Sequence, residues 1–400
     1  MTAATKALAA GAAMAGVTLI AACAGGNAPL PPTISYANCT APDGLGLIIG
    51  AHRDVPAPQL SATMQCDLQD AIQHREPVFI VIADGQPSAR ELTLIPVTGG
   101  TAAGRAARIA DDIKIVLADI SKARPSNDGV DDLAALAIAS DEAHSLRRPH
   151  ATLILADSGL DDRGALNFTQ AGMLATEPGD VTGQLKSYGD DPRLSGMSVI
   201  LSGIGYVAPP QAPLPVNLRA NLTSIWQAVV VSSGGKVAAV DPDPVSGPSM
   251  RTPYAVNRVP VPPQVPVRPG PGKTIVFNAA SPVSFVANSA EFLDPAAARQ
   301  ALMPIGRWLR ADPRRRATIT GTTMNYGSFA GQVRLSFARA RAAEEVICSA
   351  GAAPDQVTVR GVGSHFPQYK MPDKTSDGSP LPAAALANRS VRISFHGLAA

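Results

Sequence analysis

The residues best suited to bind a ligand lie in two stretches near the end of the chain. The first, residues 321–340, contains Asn325 and Arg339, and the second, residues 388–393, begins with Asn388. Arginine presents a planar fork of donors that can hold a carboxylate through two hydrogen bonds. Asparagine amides both donate and accept hydrogen bonds. Arg339, Asn325 and Asn388 can therefore each make polar contacts of this kind.

These stretches resemble the signature of the OmpA-like domain, G-x-T-D-x-x-G-S, then L-S-x-x-R-A, then N-R-R-V. The matching residues are Gly321, Gly327-Ser328, Arg339 and Asn388. The resemblance spans nearly all of residues 274–395 and implies a βαβαβ domain that binds the stem peptide of peptidoglycan. In that family an acid meets the ammonium of diaminopimelate, and the arginine holds its carboxylate. The resemblance therefore implies Arg339, Asn325 and Asn388 as candidate ligand-binding residues.

Met324 stands where the family has its acid. A thioether cannot pair with an ammonium, and loss of one partner of a desolvated ion pair costs a few kcal/mol, or about a hundredfold in affinity. We expect weak or altered binding, unless the stem peptide is amidated or Asn325 supplies a polar contact. For Arg339, ligand contact and a structural salt bridge both stay open, and Asn388 either fixes a turn or touches ligand.

The beginning of the chain has the features of a lipoprotein signal. Lys6 precedes the uncharged apolar stretch 7–20, and Ile20-Ala-Ala-Cys23 resembles the lipobox of bacterial lipoprotein precursors. This predicts a signal peptide over residues 1–22 and fatty acylation, including palmitate, on Cys23. The chain would then be lipid-anchored to the outer membrane or to the outer face of the cytoplasmic membrane. An ordinary secretory signal and an uncleaved anchor helix are the alternatives.

Three cysteines remain after Cys23, and an exported chain can keep a disulfide. Cys39 and Cys66 are predicted to pair, which would join the entry segment of the first domain to its first helix. Cys348 lies in an apolar helical stretch and is expected to be a buried thiol. Spacing alone does not fix the connectivity, and there is no Cys/His pattern for zinc.

Composition shifts divide the chain into segments. Residues 23–42 are rich in glycine, alanine and proline and form a predicted tether. Residues 241–272 are proline-rich, which favours a stiff polyproline II spacer that cannot enter a sheet. We therefore predict an α/β domain at 43–240 and the OmpA-like domain at 273–400.

The first domain alternates apolar runs with helical spacing. Strand candidates begin at Leu45, Val78, Leu92, Ala151 and Met197, and helix candidates cover 64–72, 105–123 and 218–231. Near-continuous apolar strands between helices predict a doubly wound, mainly parallel sheet with both faces covered.

This order resembles a von Willebrand A-like domain over residues 43–236, with a bare Rossmann-like scaffold as the alternative. Residues 98–101 and 153–159 are similar to that family's second and third metal-site segments, but Gly50–Asp54 replace its first. A cation would therefore lack most of its oxygen ligands, and we expect no metal. His52, as a lone loop histidine, is expected to be solvated, whereas Asp157 lies where ligands of parallel sheets bind.

Several function classes are disfavoured. The formal net charge is +2 without a long basic run, so we expect no nucleic-acid partner. No hydrolase, metalloprotease or nucleotide-binding motif is present, which predicts a non-enzyme without cofactors. The interpretation is a non-catalytic envelope lipoprotein that scaffolds at peptidoglycan. The alternative is a protein-interaction component of an envelope or secretion complex, with an unknown envelope partner, that has lost glycan binding.

Overall fold

The structure is a computed structural model. It describes residues 43–56, 60–92, 94, 99–241, 248–263 and 266–397, so the predicted signal peptide and tether lie outside the described residues. The first domain contains β1 (Leu45–Gly50), α1 (Ala62–His74), β2 (Val78–Ala83), β3 (Ser88–Glu91), α2 (Ala102–Lys122), α3 (Asp132–Ser145), β4 (Thr152–Ala156), α4 (Pro178–Tyr188), β5 (Ser198–Ser202), α5 (Val216–Ser232) and β6 (Lys236–Asp241).

The first sheet has the strand order β3-β2-β1-β4-β5-β6. All neighbours pair in parallel except β3, which runs antiparallel to β2 at one edge. Side chains alternate between two cores. Ile48 faces the core that contains α3 and α5, whereas Leu47 and Ile49 face the core that contains α1 and α2. Burial on both faces explains the unbroken apolar runs and confirms the predicted doubly wound sheet.

The structure also differs from the sequence-based prediction within this domain. The edge strand β3 ends at Glu91, so it precedes the strand predicted from Leu92, and residues 93 and 95–98 lie outside the described residues. Helix α3 was not predicted from the sequence. Its apolar residues are mostly alanines, and they are spread around the helix instead of forming one stripe. Helix α4 and strand β6 were missed as well.

The C-terminal domain contains β7 (Thr274–Asn278), α6 (Pro295–Arg310), β8 (Arg316–Thr322), α7 (Phe329–Ser349), β9 (Val357–Gly361), α8 (Pro382–Asn388) and β10 (Ser390–His396). Its sheet order is β7-β10-β8-β9, antiparallel except for β8 with β9. Helix α6 begins with an N-cap, because Asp294 accepts a hydrogen bond from the Ala297 amide at 3.0 Å and Pro295 is the first helical residue. None of the helices in the described ranges has the length and apolar character needed to span a membrane.

The longer described part of the proline-rich segment, here called the strap (residues 248–263), lies along the first domain. Met250 and Val259 are buried in the two first-domain cores. Gln211 exchanges two hydrogen bonds with the backbone of Val259, at 2.8 and 3.1 Å. Beyond the strap, the Gly272 amide donates to Phe395 of β10 at 3.0 Å. The segment is therefore bonded to both domains, which sets how far apart they can lie.

The two domains also meet directly, at what we call the domain joint. Ala280, just after β7, is buried within a first-domain core. Asn217 of α5 is 2% exposed and donates to the Ser281 carbonyl at 3.0 Å and to Ser284 at 3.3 Å. Because buried amides are costly to leave unpaired, this joint fixes the C-terminal domain against α5.

Two helical glycines allow a test of how closely α6 and α7 pack. A Cβ at Gly306 of α6 would lie 2.3 Å from the Ile347 carbonyl oxygen of α7, whereas a Cβ at Gly183 of α4 meets nothing within 4 Å. We expect Gly306→Ala to lower the free energy of unfolding by about 1–3 kcal/mol through overpacking. Gly183→Ala should raise it by about 0.5–1 kcal/mol through helix propensity. Urea unfolding of both variants measures the difference, and equal effects would contradict the close helix contact.

Candidate functional site

The signature loop connects β8 to α7 at the domain joint. A Cβ at Gly321 would lie 1.9 Å from the Ser336 carbonyl oxygen, so only glycine lets β8 approach α7 here. Ser328 caps α7 by accepting a hydrogen bond from the Gly331 amide at 3.2 Å. The loop between these points, residues 323–327, is thus held at the edge of an open cleft.

That cleft has a volume of about 450 Å³ and lies between the two domains. Its lining comes from the signature loop, the beginning of α7, the beginning of α4 and the residue before β10. The lining includes one apolar residue of the signature loop and five polar or charged residues: Met324, Gln332, Arg339, Arg389, Glu177 and Asp180. The first four belong to the C-terminal domain and the last two to the first domain.

Arg339 is held deep in the cleft wall and is 5% exposed. Its Nε donates to the Ser289 carbonyl at 2.8 Å and its Nη2 to the Val286 carbonyl at 3.3 Å, while its guanidinium lies over the Phe285 ring. Burial lowers the pKa of Arg339, an effect opposed by the charge of Glu177. The predicted ligand-binding arginine therefore lines the cleft, and part of its donor fork already has partners.

Arg389 is a second arginine of the cleft, and its role was not predicted from the sequence. It is 8% exposed, its Nη2 donates to Asp180 at 2.6 Å, and its Nε lies 3.3 Å from Glu177. Glu177 also lies 3.7 Å from Nη2 of Arg339. The only sequence signal for Arg389 is its place after Asn388 in the second motif, and its acidic partners lie far away in sequence.

The two candidate asparagines lie differently with respect to the cleft. Asn325 is exposed on the signature loop and accepts a hydrogen bond from Gln332 at 3.1 Å. Asn388 is fully buried, where its amide exchanges hydrogen bonds with the Lys370 backbone at 2.8 and 3.0 Å. Ligand contact by either residue stays a prediction, although the geometry of Asn388 is that of a side chain fixing a turn. Nearby on α7, Arg341 pairs with Glu344 at 2.6 Å.

A second polar cluster lies at the carboxyl ends of β1 and β4. Contrary to prediction, His52 is not solvated but 1% exposed, with Nδ1 donating to Asp54 at 2.5 Å and Nε2 to Asp157 at 2.8 Å. Burial lowers its pKa, but the charges and hydrogen bonds of Asp157 and Asp54 outweigh burial and raise it to about 10. Gly50 makes room, since a Cβ there would lie 2.2 Å from the Asp157 carboxyl carbon.

The acidic residues behind this cluster are buried as well. Burial, followed by the charges of Asp157 and Asp161, raises the pKa of Asp132 well above its usual range. Burial and the charge of Asp131 do the same for Asp161. No group of three or more histidine, cysteine or acidic residues within the described ranges has the arrangement of a metal site. Because its members are at most 5% exposed, the cluster offers a substrate no open face.

The cysteines are only partly described. Cys66 on α1 is disulfide-bonded, whereas Cys23 and Cys39 lie outside the described residues. The pairing of Cys66 with Cys39 therefore stays a prediction. Cys348 is free and half-buried, and burial raises the pKa of its thiol.

Comparison with known families identifies the C-terminal domain. The model of the OmpA family matches residues 284–378, which covers the signature loop, α6, α7 and β9. This match confirms the resemblance inferred from the motifs. It does not reach the first domain, whose resemblance to von Willebrand A-like domains stays a prediction.

Solved structures show partial similarity to the chain. The periplasmic domain of Helicobacter pylori MotB (residues 78–256) is 18% identical, covering 33% of this chain and 80% of that one, with a TM-score of 0.26. The peptidoglycan-associated lipoprotein from Burkholderia pseudomallei is 18% identical over 31% of this chain and 89% of that one, with a TM-score of 0.23. An outer membrane protein from Borrelia burgdorferi B31 is 19% identical over 32% and 92%, with a TM-score of 0.22. A comparison with curated protein sequences finds no match.

The His52 cluster generates a stability prediction. His52→Gln leaves Asp54 and Asp157 buried without a counter-charge, so we expect a loss of about 3–5 kcal/mol in the free energy of unfolding. The same change at exposed His150 should have little effect. Urea unfolding followed by circular dichroism measures both variants, and similar losses would contradict the paired cluster.

The pH dependence provides a second readout of the same cluster. His52 keeps its proton in the folded chain up to a pH of about 10, whereas the unfolded chain releases it near 6.5. The contribution of His52 to wild-type stability should therefore be full below pH 6.5 and be lost as the pH rises toward 10. In His52→Gln this decline should be shallower, and an unchanged slope would assign the pH dependence to other groups.

Proposed function

We propose, with the OmpA-family match of residues 284–378 as the premise, that this chain is a non-catalytic envelope lipoprotein that scaffolds at peptidoglycan. The observation that carries the proposal is the cleft at the signature loop with Arg339 in its wall. A guanidinium in a partly desolvated cleft favours a carboxylate, because charge-assisted hydrogen bonds are stronger there than in water. The free end of a peptidoglycan stem peptide carries such a carboxylate.

The cleft has the size and openness for a peptide end. Its volume of about 450 Å³ is within the usual range of small-molecule sites. Tyr326, 66% exposed, stands at the rim, where it can pack against the aliphatic part of a bound side chain. A loop held by the Gly321 contact and the Ser328 cap changes little on binding, so less entropy is lost.

The proposal predicts that the purified full chain cosediments with peptidoglycan sacculi at low salt. Free stem peptide should compete, and high salt should weaken binding because charge contacts are screened. Failure to pellet at low salt would count against peptidoglycan binding. Sacculi with amidated and unamidated diaminopimelate, run in parallel, report whether the carboxylate matters.

A matched pair of arginine variants tests the role of the cleft. Arg339→Lys keeps the charge but loses the planar fork, so we expect about tenfold weaker sacculus binding or more. Arg310→Lys, at an exposed arginine on α6, should bind as the wild type does. Thermal unfolding of both variants checks that they fold. Equal binding by the two variants would remove Arg339 from the site.

The lipid anchor is the second part of the proposal. Acylation of Cys23 would hold the chain at a membrane, with the outer membrane and the outer face of the cytoplasmic membrane as the two possible locations. The two domains would then lie in the periplasmic layer that contains peptidoglycan. This arrangement is that of a tether between membrane and cell wall.

Metabolic labelling tests the anchor. Labelled palmitate should enter the wild-type chain in a bacterial host and should be absent from Cys23→Ser. Cys348→Ser, which removes a free thiol elsewhere, should keep the label. Label retained in the Cys23→Ser variant would show that another residue is acylated or that the label is not attached through the predicted site.

One observation favours an alternative function. Arg339 already donates to two backbone carbonyls and lies near Glu177, so its charge serves the domain joint. A chain that has lost glycan binding in this way would act as an interaction component of an envelope or secretion complex. Sacculus binding by the wild type rules this alternative out.

A further inference from the structure

The acidic residues of the cleft come from the first domain. Glu177 immediately precedes α4, and Asp180 lies in its first turn. Their side chains are 19% and 13% exposed, and both point at arginines of the C-terminal domain. The signature loop itself contributes no acid, because its acidic position is occupied by Met324, which is 2% exposed.

The domain joint keeps these acids in place. A Cβ at Gly172, ahead of α4, would lie 2.5 Å from the Pro382 carbonyl oxygen at the start of α8. Asn221 of α5 is 7% exposed and donates to the carbonyls of Leu174 and Thr176, next to Glu177. The domain joint also includes the buried Ala280 and the hydrogen bonds of Asn217, so it extends the first-domain core that contains α5. Separation of the domains would expose this apolar surface, so the acids are permanent parts of the cleft.

The four charges are not equally engaged. Arg389 and Asp180 are 2.6 Å apart, a close hydrogen-bonded pair. Glu177 and Arg339 are 3.7 Å apart, beyond normal hydrogen-bond distance, and we call them the loose pair. Glu177 also lies 3.3 Å from Nε of Arg389, so it has one closer contact with a guanidinium. The loose pair is therefore the place where a ligand can enter, with a cation beside Glu177 and an anion beside Arg339.

We infer that Glu177 supplies, from the first domain, the acid that the signature loop lacks at Met324, forming a composite site for a free amino-acid end. Such an end carries an ammonium and a carboxylate on one carbon and so matches the loose pair with both charges. This inference rests on the proposed peptidoglycan function and assigns its specificity to a residue outside the OmpA-family match.

The composite site predicts a definite selectivity. A ligand with both charges replaces the loose pair by two closer ones, whereas a dicarboxylate meets Glu177 and is repelled. Like charges at close range cost affinity in a desolvated site. Replacing Glu177 by glutamine removes this repulsion and leaves two guanidiniums with one fewer counter-charge, so the preference should reverse.

The test measures binding of meso-diaminopimelate and of pimelate, its analogue without amines, to the purified full chain by calorimetry. We expect the wild type to prefer diaminopimelate by about tenfold or more. Glu177→Gln should bind diaminopimelate at least about tenfold more weakly and pimelate more tightly. Glu345→Gln, at an exposed acid of α7, should bind both ligands as the wild type does. In sacculus cosedimentation, the wild type and Glu345→Gln should bind equally well and Glu177→Gln more weakly.

The alternative outcomes are distinct. If Glu177→Gln binds diaminopimelate and sacculi more tightly, Glu177 blocks the site and the composite site is wrong, although peptidoglycan binding stands. If all variants bind diaminopimelate equally, Glu177 has no part in recognition. If the wild type binds neither sacculi nor diaminopimelate, the proposed function fails and the composite site fails with it.

Discussion

The pairing of buried charge across the domain joint is the interaction on which the rest of the structure depends. Arg339 and Arg389 are almost completely withdrawn from water, and a buried guanidinium without a counter-charge or acceptors is strongly destabilising. The C-terminal domain meets this need for Arg339 only in part, through two carbonyls. The remaining charge is balanced by Glu177 and Asp180, so the orientation of the two domains and the electrostatics of the cleft have the same origin.

The His52 cluster shows the same constraint with a different result. There, too, a cation is buried between acids, but all of its partners come from one domain and its members are closed to solvent. The strong coupling of His52 to Asp157 joins the ends of β1 and β4, where many parallel sheets bind ligands. In this chain the carboxyl ends of β1 and β4 are occupied by the ion pairs of His52 with Asp54 and Asp157. The open polar site lies instead at the joint, where the pairs are shared between domains and one of them is loose.

The sequence allowed most of the fold to be predicted, because the core strands are unbroken apolar runs and α2 and α6 have clear apolar stripes. Helix α3 escaped prediction because its apolar residues do not form one stripe. The packing of the strap escaped prediction because proline content indicates an extended backbone but not the surface that it contacts. Within the site, the resemblance to the OmpA-like signature was enough to single out Arg339 and the methionine at the acid position, Met324. Glu177 and Asp180 were not, since Asp180 lies 209 residues from its partner Arg389 and only docking brings them together. His52 was misjudged for the same reason, because its partner Asp157 is 105 residues away.

Methionine at position 324, where the OmpA-like signature has an acid, therefore has a different meaning in a two-domain chain. In an isolated domain, methionine at position 324 would leave Arg339 and Arg389 as an uncompensated pair of cations, and an anionic ligand would be favoured. In this chain the first domain contributes Glu177 and Asp180 beside the two arginines, so the charges of these four groups sum to zero. A neutral cleft with separated charges discriminates by the arrangement of charge on a ligand more than by its net charge. A carboxylate placed at 324 in addition to Glu177 would disturb that balance, which gives a physical reason why an apolar residue is tolerated there.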